Sequence, residues 1–243
     1  MITAMILAGG VGSRVGAGIP KQFVKIFDKP ILAFTIEIYE NHPDVDNIEI
    51  VCHASWISYC EELIKKYDYK KVKWITEGGS TFQKSVINGM NYLKNKIEMD
   101  DYVLVHYGAS PFTGDDIVTD VIKVMKEHNC SVSATPCFQL LGSNDGKESN
   151  IWVDRDKFIQ IACPYGFKFS YLVNVYDRAE KLNLLKKIEP HTTSLIYALG
   201  EKIYLAKGNQ TNIKITTAED IELFKGYVMR LNMEKGMENK YEF

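Results

Sequence analysis

Apolar and polar positions follow two alternating periods along this chain. Short runs rich in β-branched and aromatic residues recur at AMIL, NIEIVCH (47–53), KVKWIT (71–76), DYVLVHY (101–107) and SVSATP (131–136). Runs of that length and make-up predict strands buried on both faces, as in a parallel sheet. Between them, ILAFTIEIYENH, SWISYCEELIKKY, STFQKSVINGMNYLKNK and DDIVTDVIKVMKEH carry apolar residues at helical spacing and predict amphipathic helices. Strand–helix alternation implies right-handed crossovers, so the expected fold is α/β: a doubly wound, mostly parallel, Rossmann-like sheet. Ligands of such sheets lie beyond the carboxyl ends of the strands. The glycine-rich stretch after AMIL and the segment VHYGASPF then stand at the mouth of a site.

Residues 137–167 break the alternation. A polar turn, GSNDGKESN, is followed by IWVDRDKFIQIACPYGF, whose pattern is that of a hairpin arm. An arm of this kind protrudes with too little core to stand alone, and is expected to pack on another surface such as a second subunit. Helical patterns return at FSYLVNVYDRAEKL and HTTSLIYALG, followed by the strand KIYLAKG and the stretch NIKITTAEDIELFKGYVMRLNMEK. The expected organisation is one domain over 1–243, with 137–167 as a dimerisation and substrate arm.

A length of 243 residues suffices for one full α/β core. The formal net charge of −2 gives no electrostatic reason to expect a nucleic acid or an anionic membrane as partner. The first apolar run stops at Ala8 without a basic flank, and no later run approaches 18 apolar residues, so neither a leader nor a membrane span is expected. Five cysteines (52, 60, 130, 137 and 163) form no CxxC pair. They read as buried thiols of a cytoplasmic enzyme rather than as disulfides or a zinc site.

The candidate chemistry begins at ILAGGVGSRVGAGIPKQF, residues 6–23. A dinucleotide fingerprint would need glycine or alanine where Val15 stands, and an acidic end to the second strand, which instead closes on Cys52 and His53. A P-loop would need lysine after Gly16 or Gly18, and none follows. What remains is a long loop of backbone N–H groups carrying Arg14 and Lys21, which is equipment for a polyphosphate.

These residues also carry a resemblance. LAGGVGSRVGAGIPKQF resembles the signature loop of the sugar-nucleotidyltransferase superfamily. Its PKQ ending resembles that of the 2-C-methyl-D-erythritol 4-phosphate and ribitol-5-phosphate cytidylyltransferase family. EGGSTFQKSV (77–86), VLVHYGASPF (103–112), NIKITTAEDI (212–221) and, more weakly, VDRDKFIQIACPYGF (153–167) match the same family in order. The resemblance implies that CTP lies under the glycine loop with Mg²⁺. A phosphate oxygen of a small phosphorylated acceptor then attacks the α-phosphorus in line and expels pyrophosphate. It implies catalytic roles for Arg14, Lys21 and Lys214, nucleotide contacts from Ala8, Gly9, Gly10, Gly12, Gly79, Ser85 and Ala109, and an acceptor contact from Arg155 across a homodimer. Thr217 with Asp220 reads as a helix cap, His106 as a core histidine, and Tyr165, Phe167 and Phe169 as packing.

The departures from the family concentrate at the chemistry. The two carboxylates that would hold Mg²⁺ are replaced by Tyr107 and Thr211, and an arginine of the same loop by Ser110. Protein ligands for the metal are therefore not expected, unless Asp115 or Asp116 supplies one, and Mg²⁺ would rest on CTP and water. Phe82, Gln139-Leu140, Cys163-Pro164-Tyr165 and Pro190-His191-Thr192 replace the polar set that would grip methylerythritol phosphate. Two functions stay open. One is CMP transfer to another phosphorylated polyol or phosphonate, such as an alditol phosphate for a surface polysaccharide. The other is a degenerate paralogue that binds nucleotide or a partner without turnover.

Overall fold

The computed structural model describes residues 1–10 and 18–234. Its centre is a seven-stranded sheet. The strands are β1 (Ile2–Ala8), β4 (Asn47–Cys52), β5 (Val72–Glu77), β6 (Tyr102–Tyr107), β7 (Cys130–Pro136), β10 (Ile159–Lys168) and β11 (Leu205–Lys207), in the order β11-β7-β10-β6-β1-β4-β5. Every pairing is parallel except the two made by β10. The expected α/β sheet is thus present, and each predicted strand falls within two or three residues of its sequence pattern.

Alternation along the strands assigns the helices to two layers. Ala4, Ile6 and Ala8 of β1 point into one core cluster, shared with α1 (Ile31–Glu40), α2 (Ile57–Tyr67) and α4 (Asp115–His128). Met5 and Leu7 point the other way, to α3 (Phe82–Leu93), α5 (Phe169–Lys181) and α6 (Thr192–Ala198). The period of two along the strand produces this split. A third cluster joins α7 (Ala218–Glu234) to Ile26, Phe112 and Ile215, and so ties the NIKITT segment to the carboxyl end of β6. Thr217 and Asp220 close the start of α7: the Asp220 carboxylate accepts the N–H groups of Thr216 and Thr217 at 2.7 and 2.9 Å, and the Thr217 hydroxyl accepts the Asp220 N–H at 3.4 Å.

The arm differs from its sequence reading. Within residues 137–167, β8 (Leu141–Gly142) and β9 (Trp152–Val153) pair with each other outside the central sheet. The stretch read as the second half of the arm is β10, which runs antiparallel between β6 and β7, with a register break between Ala162 and Tyr165. Proline lacks the ladder donor, so the break falls where Pro164 stands. Local alternation gives no sign that a strand will insert between two partners more than twenty residues away. The part left outside carries exposed Phe138, Leu140, Ile151, Trp152 and Phe158. No helix among the described residues is long and apolar enough to cross a membrane. All five cysteines are buried and unpaired.

Candidate functional site

Two clefts open at the carboxyl ends of the strands. The first, of about 540 Å³, is lined by Gly9, Gly10, Lys21, Gly79, Ser85, Gly108, Ala109 and Lys214, among others. Its described lining holds two lysines and no carboxylate, so its field favours an anion. The second, of about 500 Å³, is lined largely by neutral polar groups such as Thr135, Gln160, Thr193, Asn209 and Asn212, with Glu189 as its one carboxylate among the described residues. Tyr107, His191 and Lys214 line both and form the wall between them.

The floor of the first cleft is held by a residue the sequence reading passed over. Gln22 sits in a 3-10 turn over Lys21–Phe23, is 3% exposed, and donates from Nε2 to the carbonyls of Ala8 at 2.6 Å and Gly10 at 2.8 Å. That amide fixes the exit of β1 and the first turn of the glycine loop. The same amide occupies the carbonyls of both Ala8 and Gly10. Pro20 precedes the turn, and Lys21 reaches across to the Ile215 carbonyl at 2.5 Å. Lys21 and the NIKITT segment thereby meet on one side of the cleft. Gly12 and Arg14 lie outside the described residues.

The opposite side is the loop after β5. The Gly78 N–H donates to the Cys52 carbonyl at 2.7 Å. A Cβ on Gly79 would lie 2.3 Å from Lys84 Cβ, so this position has room for glycine alone. The Ser85 hydroxyl accepts the Gly79 N–H at 3.1 Å and faces the Thr81 carbonyl at 3.0 Å. Ser85 therefore shapes the loop that lines the cleft, with its hydroxyl already committed to backbone.

The segment bearing Lys214 is pinned from beneath. Asn212, 4% exposed, donates to the Cys163 carbonyl at 2.8 Å and to Ser133 Oγ at 3.2 Å, and accepts from the Thr113 hydroxyl at 2.7 Å. The Ile215 N–H donates to the Ala109 carbonyl at 2.8 Å. Lys214 is held between these two anchors, and its Nζ stands 4.1 Å from the centre of the Tyr107 ring.

The departures noted in the sequence converge here. Tyr107 packs against Phe82 at 5.2 Å, Tyr165 at 6.0 Å and His191 at 6.2 Å, and Phe82 against His191 at 5.4 Å, between ring centres. The Tyr107 hydroxyl lies 2.8 Å from His191 Nδ1, and the Tyr165 hydroxyl donates to it at 3.4 Å. Burial pushes the Tyr107 and Tyr165 phenols up, so both stay neutral. Burial also holds His191 below the ordinary histidine value, helped by Lys214 and opposed by Glu189. Four positions read as losses of polar function thus form one aromatic cluster.

His106, in contrast, is a core residue: it is fully buried, with Tyr39 Oη 2.7 Å from Nδ1 and the Ser110 carbonyl 3.0 Å from Nε2. Phe167 and Phe169 are buried in the core as well. Arg155 lies on the arm, where it donates to the Phe138 carbonyl; it does not approach either cleft.

The side chains at the wall do not suit a divalent cation. One carboxylate position holds a neutral phenol whose hydroxyl is bonded to histidine, with a lysine ammonium over its ring. The Thr211 hydroxyl donates to Asn209 Oδ1 at 2.9 Å. Asp116 is paired with Lys207 at 2.6 Å, and neither it nor Asp115 lines a cleft. Among the described residues no three acidic, histidine or cysteine side chains gather as metal ligands.

A mostly parallel α/β sheet with a lysine-lined cleft at Gly9 and Gly10 and a polar cleft beside it makes a site suited to an anion. The chain belongs to the IspD family, 2-C-methyl-D-erythritol 4-phosphate cytidylyltransferase, whose profile matches residues 2–230. It is accordingly a nucleotidyltransferase of the cytidylyltransferase kind. A ribitol-5-phosphate cytidylyltransferase of Lacticaseibacillus paracasei is 37% identical over 229 residues, 94% of this chain and 98% of that protein. A 2-C-methyl-D-erythritol 4-phosphate cytidylyltransferase of Clostridium novyi is 34% identical over 224 residues, 90% and 93% of the two chains. The solved 4-diphosphocytidyl-2C-methyl-D-erythritol synthase of Anaerococcus prevotii shares the fold, with a TM-score of 0.78 over 95% of this chain and 99% of that one at 23% identity.

Proposed function

We propose that the protein transfers CMP from CTP to an alditol phosphate, with ribitol 5-phosphate as the acceptor to test first. The observation that carries this reading is the common wall: Lys214 faces both clefts, so one cation can reach a nucleotide phosphate on one side and an acceptor phosphate on the other. An oxygen of the acceptor phosphate attacks the α-phosphorus of CTP, the new P–O bond forms, and the bond to the β-phosphate's bridging oxygen breaks to release pyrophosphate. Backbone N–H groups of Gly9 and Gly10 with Lys21 hold the triphosphate, and Lys21 and Lys214 offset charge on the phosphoryl oxygens. Arg14 and Gly12 belong to the same loop and take the roles that the family resemblance gives them. Any Mg²⁺ brought with CTP would be held by the nucleotide rather than by side chains of the wall.

The similarity to the Lacticaseibacillus ribitol-5-phosphate enzyme and the neutral, amide- and hydroxyl-rich second cleft support a polyol chain as the acceptor. The product suits a cytoplasmic step toward a surface polysaccharide. The exposed apolar side chains of the arm support a homodimer through it, with Trp152 and Leu140, 78% and 84% exposed, as its contacts. In such a dimer Arg155 would turn from the Phe138 carbonyl toward the acceptor of the neighbouring subunit.

The test is pyrophosphate release from CTP, Mg²⁺ and ribitol 5-phosphate, with methylerythritol phosphate in parallel. Release with the alditol phosphate, abolished in Lys21→Ala, is expected. Tight CTP binding without release for any polyol phosphate would overturn the reading in favour of a nucleotide-binding paralogue, which the neutral side chains at Tyr107 and Thr211 favour.

A further inference from the structure

The geometry points to Tyr107 as a positioning residue that presents Lys214 to both clefts on the face of its ring, with Phe82, Tyr165 and His191 holding the ring in place. The inference rests on the cytidylyltransferase reading for the reaction it serves, and on the ring geometry for itself.

Lys214 carries a four-carbon stem, and an ammonium on such a stem samples many positions unless something fixes it. Here the Nζ stands 4.1 Å from the Tyr107 ring centre, well inside the range of a cation–π contact. The ring is in turn fixed by groups from three other parts of the fold: Phe82 at the start of α3, Tyr165 in β10, and His191 just before α6. Its hydroxyl is bracketed as well. Tyr165 donates to it, and the arrangement that gives every group a partner has the Tyr107 hydroxyl donating to His191 Nδ1, with the imidazole proton on Nε2 facing the Glu189 carboxylate at 3.4 Å. A histidine held neutral by burial fits that arrangement, because only the neutral ring can accept.

The choice of a ring over a carboxylate has an electrostatic consequence. A carboxylate at this position would grip the ammonium more strongly, but would cancel much of the charge it offers to a phosphate. The ring quadrupole attracts the cation without adding a formal negative charge of its own, so this contact does not cancel the charge that Lys214 offers at the wall. The cluster that replaces the family's polar groups is then a cradle for a lysine rather than a damaged metal site.

The test pairs spectroscopy with kinetics. In protein labelled with ¹³C-lysine, the Lys214 peak is identified by its loss in Lys214→Arg. Its ε-methylene protons should be shifted upfield by the Tyr107 ring current, retain that shift in Tyr107→Phe and lose it in Tyr107→Leu. With CTP and ribitol 5-phosphate, Tyr107→Leu should lower kcat by about tenfold to thirtyfold, the rate equivalent of a partly desolvated cation–π contact. Tyr107→Phe, which keeps the ring, should lose about threefold, and the KM for CTP should move less than kcat in both. An unshifted Lys214 signal in the wild type overturns the inference without any variant, and so does an equal kcat loss in the two substitutions. If the wild type turns over no acceptor, the functional reading fails while the resonance still decides the position of Lys214.

Discussion

Glu49 lies in β4 on the face that looks toward α3, one residue from Ile48 and Ile50 on the opposite face, and is fully buried. The Thr76 hydroxyl donates to its Oε1 at 2.7 Å, and its Oε2 has no hydrogen-bond partner among the described residues. Burial outweighs that single bond and raises the carboxyl from its ordinary 4.5 to about 8. At neutral pH the folded protein therefore holds a proton here that the unfolded chain has released. The sign follows directly: the favourable protonated state costs nothing below pH 4.5, and stability falls as pH rises between 4.5 and about 8, then levels off. Each pH unit in that window is worth about 1.4 kcal/mol, so the whole span amounts to about 5 kcal/mol. Glu49→Gln removes the titration while keeping the shape. Urea unfolding of both proteins from pH 5 to 9 isolates the effect, because every other titrating group cancels in the difference. The variant should gain on the wild type steadily up to about pH 8 and hold its lead above it. A difference that stays flat across that range would refute the reasoning, whatever its absolute size.

Gln22→Leu strips the partner from two carbonyls at the exit of β1; it should cost about 1–3 kcal/mol in denaturant unfolding and raise the Kd for CTP in titration calorimetry. Gly79→Ala forces Cβ into Lys84, so the 78–81 loop must move; CTP binding should weaken by about tenfold or more while the rest of the fold keeps its circular dichroism. The two-residue turn between β2 (Lys25–Ile26) and β3 (Lys29–Pro30) places Phe27 and Asp28 at φ of 48° and 65°. Asp28→Gly relieves the second of these and should stabilise by about 0.5–1 kcal/mol, seen as a Tm rise of a few degrees in scanning calorimetry.

Much of the fold was legible because it is written in local periodicity. The strands after AMIL, at 47–53, 71–76 and 101–107, and the helices between them follow from runs of neighbours, and α4 begins and ends where its pattern does. Gly9, Gly10, Lys21 and Lys214, singled out from separate stretches of sequence, line one cleft. Arg155 was placed by its family position on a charged turn, but its guanidinium turns back to its own arm. Gln22 was written in plain sight beside Lys21. Its role went unread because the carbonyls it holds belong to Ala8 and Gly10, and only the folded turn brings them to its amide.

The sequence by itself determined the class of fold and the family, because each depends on residues close together in the chain. It also showed that Phe82, Tyr107, Tyr165 and His191 depart from the family's polar set. Only the tertiary structure decided what those departures mean. They come from α3, β6, β10 and the turn before α6, and nothing local relates positions 82, 107, 165 and 191 until β10 inserts beside β6. Once it does, four apparent losses share one wall and one lysine. Side-chain convergence of this kind is a property of the sheet's strand order, which the pattern of any single strand does not contain.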